Sequence, residues 1–153
     1  MLRRRENAMK GSDLLKISDE AFINASDYVN NIEGWMSNTD LKWLYLVAQS
    51  MGSIVEIGSW KGRSTDALLS SCKGTVWVVD HFKGNKGIRD TMHREAQEKD
   101  IGRIFIHNVG HYNNLKLLKL NSLEAVKQFK DKSAVCELLG IIYQVDDILG
   151  KTD

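Results

Sequence analysis

Apolar residues follow helical spacing in some stretches of the chain and form short continuous runs in others. The first helical pattern opens at Ser37 and has Asp40 three residues later, a pairing typical of a capping box. The apolar positions that follow at this spacing are Leu41, Leu44, Tyr45, Ala48 and Met51. Gly52 marks the predicted end of this helix, because glycine commonly follows a helix C-terminus.

Four short apolar runs predict β-strands, at residues 53–57, 75–79, 115–120 and 134–142. Helices are predicted between them over residues 64–72, over residues 88–100, and from a cap at Ser122 through Leu123, Val126 and Phe129. Strands that alternate with helices predict an α/β fold, namely a Rossmann-like parallel sheet with helices on both faces.

The composition supports one soluble domain. The chain has 153 residues, of which 42% are hydrophobic and 27% charged, so a disordered or fibrous protein is excluded. Residues 1–33 are polar and weakly patterned, and we predict an N-terminal arm or cap there, followed by the sheet domain over residues 34–153. The net charge of +1 gives no general attraction to nucleic acids or to acidic membrane surfaces. Cys72 and Cys136 suit reduced thiols, which predicts a cytoplasmic protein.

The segment after the first strand carries the main chemical signal. It reads V-E-I-G-S-W-K-G-R-S-T over residues 55–65, a strand that enters a glycine turn and then a helix. In open α/β sheets, ligands bind at this end of the strands. Gly58 would let a ligand approach the backbone, and Gly62 would let the helix pack close to the strand. Asp80 closes the second strand, where a carboxylate can accept both hydroxyls of a ribose.

Three classes of ligand are known to bind at a glycine turn of this kind, and each requires a different sequence motif. A dinucleotide site needs G-x-G-x-x-G, but Trp60 stands where the second glycine would admit a pyrophosphate. A phosphate-binding P-loop needs one more residue and a lysine where Arg63 stands. The E-x-G-x-x-x-G spacing suits S-adenosylmethionine (SAM), which has a ribose and an adenine but no phosphate. The alternative is a tight turn with an incidental aspartate at the end of a strand.

The loop, together with E-G-W at residues 33–35 and V-D-H-F-K-G at residues 79–84, resembles class I SAM-dependent methyltransferases. The most similar branch is that of small-molecule and sugar O-methyltransferases, and the resemblance covers about residues 33–130. It implies that the glycine turn lines the methionine end of SAM, that Asp80 holds the ribose, and that Asn121 faces the adenine amino group. The predicted cofactor-binding residues are Glu56, Gly58, Ser59, Trp60, Gly62, Ser64, Asp80, His81, Asn121 and Ser122.

The resemblance breaks down after the fourth strand. Residues 138–148 lack the family's D-G-D-H segment, and the chain ends at Asp153, so we expect the last strands of a seven-stranded sheet to be missing. No catalytic base is assigned; His81 is a loop histidine that could also reach the cleft. His107 and His111 are four residues apart without an H-E-x-x-H motif, so no metal site is predicted.

The resemblance therefore implies a SAM-dependent methyltransferase, or a methyltransferase-like domain, that acts on a small molecule or a sugar. The alternative is a truncated, non-catalytic relative that binds SAM or retains the fold, and that forms a homo-oligomer or pairs with a partner chain at its open strand edge. A nucleic-acid-binding module that uses Arg3 to Arg5 is a third interpretation, and the balanced charge argues against it.

Overall fold

The computed structural model describes residues 17–84 and 90–129, and the backbone of residues 137–140. The elements in chain order are α1 Asp19–Asn24, α2 Asn38–Ala48, β1 Ser53–Ile57, α3 Arg63–Ser71, β2 Thr75–Val79, α4 Thr91–Glu98, α5 Ile101–Val109, β3 Leu115–Leu118, α6 Ser122–Val126 and β4 Glu137–Gly140. Strands and helices alternate through most of this sequence, as the apolar pattern predicts.

The four strands form one parallel sheet in the order β3-β2-β1-β4. In the register of the central pairs, Ile57 of β1 lies beside Val79 of β2 and beside Gly140 of β4. The chain leaves β1 for β2 on one side and returns on the other side as β4, so the strand order reverses at β1. This arrangement confirms the predicted Rossmann-like α/β fold and exposes a carboxyl edge where the loops after β1 and β2 meet.

Alternate residues of each strand face opposite sides of the sheet, and each side has its own apolar cluster. Ile54 and Val76 belong to the larger cluster, with α2, α3 and α5. Val55 and Val79 point to the other side, where Ala125 of α6 is buried with them. Helices therefore cover both faces, as predicted. Among the described residues, no helix is long and apolar enough to cross a membrane.

The predicted capping box is present at the start of α2. The Ser37 side chain accepts a hydrogen bond from the Asp40 N–H at 3.1 Å, and Asp40 accepts one from the Ser37 N–H at 3.0 Å. The helix ends at Ala48, and turn residues lead from there to Gly52. The predicted end at Gly52 is therefore late by one turn.

Helix α5 is the main feature that the pattern analysis missed. Asp100 caps it by accepting the Arg103 N–H at 3.0 Å, and Ile101, Phe105 and Val109 are buried one above the other. The spacing of these three residues, four apart, is the helical signal that could have predicted it. Gly110 follows the helix as its C-cap, so His107 lies inside α5 and His111 beyond it.

Other element boundaries also need correction. β3 ends at Leu118, two residues before the predicted end. The N-cap of α6 is Asn121 and not Ser122, and the buried residue of this helix is Ala125. Leu123 and Val126, two of the apolar residues that indicated this helix in the sequence, are 70% and 62% exposed. The fourth strand is described over Glu137–Gly140; the remainder of its predicted range, Cys136, and residues 141–148 lie outside the described residues.

Candidate functional site

The glycine loop, defined as residues 58–62, connects β1 to α3 with an unusual backbone. Gly58 and Gly62 have φ angles of 78° and 96°, and Trp60 between them has a φ of 52°. The Gly58 N–H donates to the Val79 carbonyl at 2.9 Å, which fixes the start of the loop to the end of β2. A left-handed conformation costs a non-glycine residue about 1–2 kcal/mol, so the surrounding contacts must hold Trp60 in place.

Asp80 supplies those contacts. Its Oδ2 accepts the N–H of Ser59 at 2.9 Å and the N–H of Trp60 at 3.0 Å, and its Oδ1 accepts the N–H of Phe82 at 2.7 Å. Bonds from N–H groups to a carboxylate are stronger than those to a neutral acceptor. Asp80 therefore fixes the glycine loop and its own turn by bonds within the protein.

This geometry changes the predicted contact between Asp80 and a ribose. A carboxylate has about four lone-pair sites, and three of them already face backbone N–H groups. The second acceptor site of Oδ1 remains, and it can take one hydroxyl. In this loop conformation the backbone N–H groups occupy most of the carboxylate, so Asp80 offers one ribose hydroxyl an acceptor site and not two. The contact between Asp80 and a ribose stays a prediction.

Glu56 lies beneath the loop and does not line a cleft. It is 1% exposed, and its two oxygens accept the hydroxyls of Ser64 and Thr65, each at 2.5 Å. Burial raises the pKa of Glu56 to about 7, the two hydroxyl bonds oppose this shift, and the charge of Asp80 adds to it. Glu56 thus ties β1 to the first turn of α3. Ser64 is turned inward by the same bond, so neither side chain reaches the surface where SAM was expected to meet them.

Gly62 also has a partner different from the expected one. A Cβ atom at Gly62 would lie 3.2 Å from Cγ1 of Val109 and 3.3 Å from Cδ2 of Phe105, both on α5. The absence of a side chain at Gly62 therefore allows α5 to approach the loop. From the sequence alone, a glycine at this position is instead expected to allow α3 to pack close to β1. Ser59 is buried in the same turn.

A cleft of about 1020 Å³ opens beside the ends of β2 and β3. We call it the carboxyl-edge cleft, and its lining residues are His81, Lys83, Gly84, Gln97, Lys119, Leu120, Asn121 and Glu124. His81 and Asn121, both predicted to contact SAM, meet in this cleft although they lie on different loops. Glycine-loop residues are not part of this lining.

Local hydrogen bonds already use one acceptor on each of these two side chains. Asn121 Oδ1 accepts the Glu124 N–H at 2.9 Å and caps α6. One acceptor site of this oxygen is therefore already occupied, and only the other could accept a hydrogen bond from an adenine amino group. His81 Nδ1 accepts the Lys83 N–H at 3.0 Å, which fixes the imidazole in its turn. Ser122 is the first residue of α6 beside this cap and is not among the lining residues.

A second cavity, of about 460 Å³, lies beside Lys61 of the glycine loop. The Lys61 side chain is 6% exposed, and its Nζ donates to Glu33 at 2.6 Å and to Glu95 at 2.7 Å. Burial by itself would lower the pKa of Lys61, but the hydrogen bonds and charges of the two carboxylates raise it above its usual 10.5. Hydrogen bonds from Lys61 and Lys99 lower the pKa of Glu95. The sequence gives no local sign of this ion-pair cluster, because its members lie in three segments that are far apart along the chain.

Aromatic rings surround the outer side of the same loop. The rings of Trp35 and Trp60 lie 6.3 Å apart, and the Lys61 ammonium lies 5.5 Å from the centre of the Trp60 ring. Within residues 17–84 and 90–129, no group of three or more His, Cys, Asp or Glu side chains is arranged to hold a metal ion.

Comparisons with known proteins find similarity among solved structures. No protein-family model and no curated protein matches the chain. Among solved structures, the chain is similar to the SAH-bound methyltransferase PaMTH1 of Podospora anserina, with 17% sequence identity and a TM-score of 0.42. The match covers 64% of this chain and 38% of the other, so this chain corresponds to well under half the length of that protein.

Proposed function

We propose that this chain binds SAM as a methyltransferase-type domain and that its acceptor is a small molecule or a sugar. The observation that supports this best is the carboxyl-edge cleft, which brings His81 and Asn121 together at the ends of β2 and β3. Its volume of about 1020 Å³ is at the upper end of the usual range for small-molecule sites, about 300–1,000 Å³.

The residues of the cleft fit an adenosyl group in their chemistry. Leu120 offers apolar surface for a base, and the Asn121 amide offers hydrogen bonds to its edge. We expect Asp80 Oδ1, which accepts the Phe82 N–H, to take one ribose hydroxyl at its second acceptor site. When bound, SAM would supply the methyl group as a sulfonium, and the chain would contribute binding, orientation and exclusion of water.

Calorimetric titration with SAM and with its demethylated product SAH tests the proposal. We expect saturable binding to the purified protein, and replacement of Gln97 by tryptophan should weaken it at least about tenfold by filling the cleft. Glu98→Trp is the matched control, since Glu98 is an exposed neighbour on α4 that does not line the cleft. A folded wild-type protein that binds neither compound would refute the proposed function.

A second candidate function is SAM binding without catalysis, in a chain that works with a partner. The favouring observation is that β4 lies at an edge of the described sheet, where a further strand could pair with it. Sedimentation velocity at several protein concentrations distinguishes the two. Self-association or capture of a partner, together with SAM binding and no methyl transfer to any small acceptor tried, would favour the second function.

A further inference from the structure

The glycine loop has the backbone form of an anion-binding nest. Successive N–H groups converge on one point when a left-handed residue interrupts the turn, and Trp60, with its φ of 52°, is that residue. In nucleotide-binding α/β folds, N–H groups at this position contact a phosphate of the ligand. Here the N–H groups of Ser59 and Trp60 both donate to Asp80 Oδ2. The nest is therefore filled by an anion that belongs to the protein.

The two basic side chains nearest the nest in sequence, Lys61 of the glycine loop and Arg63 at the start of α3, are both bonded to other groups. Lys61 is held between Glu33 and Glu95, and these two carboxylates more than neutralise its charge. The Arg63 guanidinium donates to the carbonyls of Asn30, Ile32 and Met36, at 2.8 to 2.9 Å. In a phosphate-binding loop, cations at such positions would meet the phosphate. Here neither Lys61 nor Arg63 is available for that purpose.

We propose that Asp80 determines the specificity of the site by occupying the nest and excluding phosphate-bearing nucleotides. A phosphate at this position would have to displace the carboxylate from two N–H donors and would be repelled by its charge. An adenosyl ligand without phosphate avoids both effects. The adenosyl part of this inference rests on the proposed function, whereas the exclusion of phosphate rests on the loop geometry alone.

The first test compares ligands on the wild-type protein. Titrations with adenosine and with ADP should give an affinity for adenosine at least about tenfold higher, because ADP carries the phosphates that Asp80 repels. Equal or tighter binding of ADP would overturn the inference. This measurement needs no variant, so it does not depend on how well Asp80 substitutions fold.

The second test removes the Asp80 carboxylate from the nest. Asp80→Ala should raise the affinity for ADP relative to adenosine at least about tenfold and should create binding of inorganic pyrophosphate. Asp80→Asn, which keeps the side-chain shape but removes the charge, should shift the ratio in the same direction and serves if the alanine variant fails to fold. Glu20→Ala removes one negative charge on the exposed helix α1 and should leave the ratio unchanged.

The pyrophosphate titration separates the two proposals. If the wild-type protein binds no SAH or adenosine but a folded Asp80 variant gains pyrophosphate binding, the proposed function is wrong and the role of Asp80 stands. If the wild-type protein binds SAH but a folded Asp80 variant gains neither pyrophosphate nor ADP, the role of Asp80 is wrong and the proposed function stands.

Discussion

Gly62 packs against the ring of Phe105, and this contact joins the glycine loop to α5. A Cβ atom at Gly62 would lie 3.3 Å from Cδ2 of Phe105, closer than ordinary van der Waals contact. Phe105 is fully buried and cannot move aside without disturbing the core around it. The loop conformation and the position of α5 therefore depend on each other.

Gly62→Ala should lower the free energy of unfolding by about 2 kcal/mol. The φ of 96° is unfavourable for alanine, and the added methyl group would press on Val109 and Phe105. Urea denaturation followed by circular dichroism measures the change. Gly52→Ala is the control, since a Cβ there would meet nothing within 4 Å, and its effect should stay within about 1 kcal/mol. Equal effects of the two substitutions would contradict the packing at Gly62.

Glu56→Gln should change how stability depends on pH. The pKa of Glu56 is about 7 in the folded protein, against 4.5 for an unperturbed carboxyl group, so the folded state holds this proton more tightly. Its contribution is therefore fully present below pH 4.5 and is lost as the pH rises through 7. Relative to the glutamine variant, the wild-type protein should lose up to about 3 kcal/mol of unfolding free energy over this interval.

Urea denaturation of both proteins at several pH values between 4.5 and 8 measures this difference. Glu20→Gln, at an exposed position on α1, should show no such trend. A constant difference between wild type and Glu56→Gln across the interval would show that Glu56 titrates normally.

Lys61→Met should destabilise the protein by about 1–3 kcal/mol. Methionine keeps the apolar stem but leaves Glu33 and Glu95 without the shared ammonium group. The Glu33 side chain is 73% exposed and can be solvated by water, and Glu95 keeps its ion pair with Lys99 at 2.9 Å. The loss of unfolding free energy should therefore be smaller than the roughly 3–5 kcal/mol that breaking a fully buried ion pair costs. Lys73→Met, at an exposed position before β2, is the matched control for thermal denaturation. Equal melting temperatures of the two variants would exclude a stabilising role for the cluster.

Arg63→Lys should loosen the segment before α2. The Arg63 guanidinium donates to the Asn30, Ile32 and Met36 carbonyls, and a lysine ammonium cannot reproduce this planar set of bonds. We expect a loss of about 2 kcal/mol, since hydrogen bonds from charged groups contribute about 1.5–3 kcal/mol. We also expect faster proteolysis around residues 28–38. Arg103→Lys, at an exposed position on α5, is the control and should change neither the rate of proteolysis nor the free energy of unfolding.

Much of the fold follows from local patterns in the sequence. The apolar runs at residues 53–57 and 75–79 coincide with β1 and β2, and the capping box at Ser37 starts α2 as predicted. These elements depend on strand and helix periodicity and on hydrogen bonds between near neighbours, which a sequence displays directly. The helical spacing of Ile101, Phe105 and Val109 is equally local, so α5 could also have been predicted.

The contacts of the candidate site residues, in contrast to the secondary structure, depend largely on the tertiary structure. The sequence by itself determined that a glycine loop and a strand-end aspartate lie at one edge of a parallel sheet. The tertiary structure decided which groups the side chains bond to: Asp80 accepts the loop N–H groups, and Glu56 accepts two hydroxyls of α3. It also decided that Gly62 packs against the ring of Phe105. Residue types and spacing limit which bonds a side chain can form. Which bond it does form depends on partners that are distant in sequence and that packing brings within 3 Å.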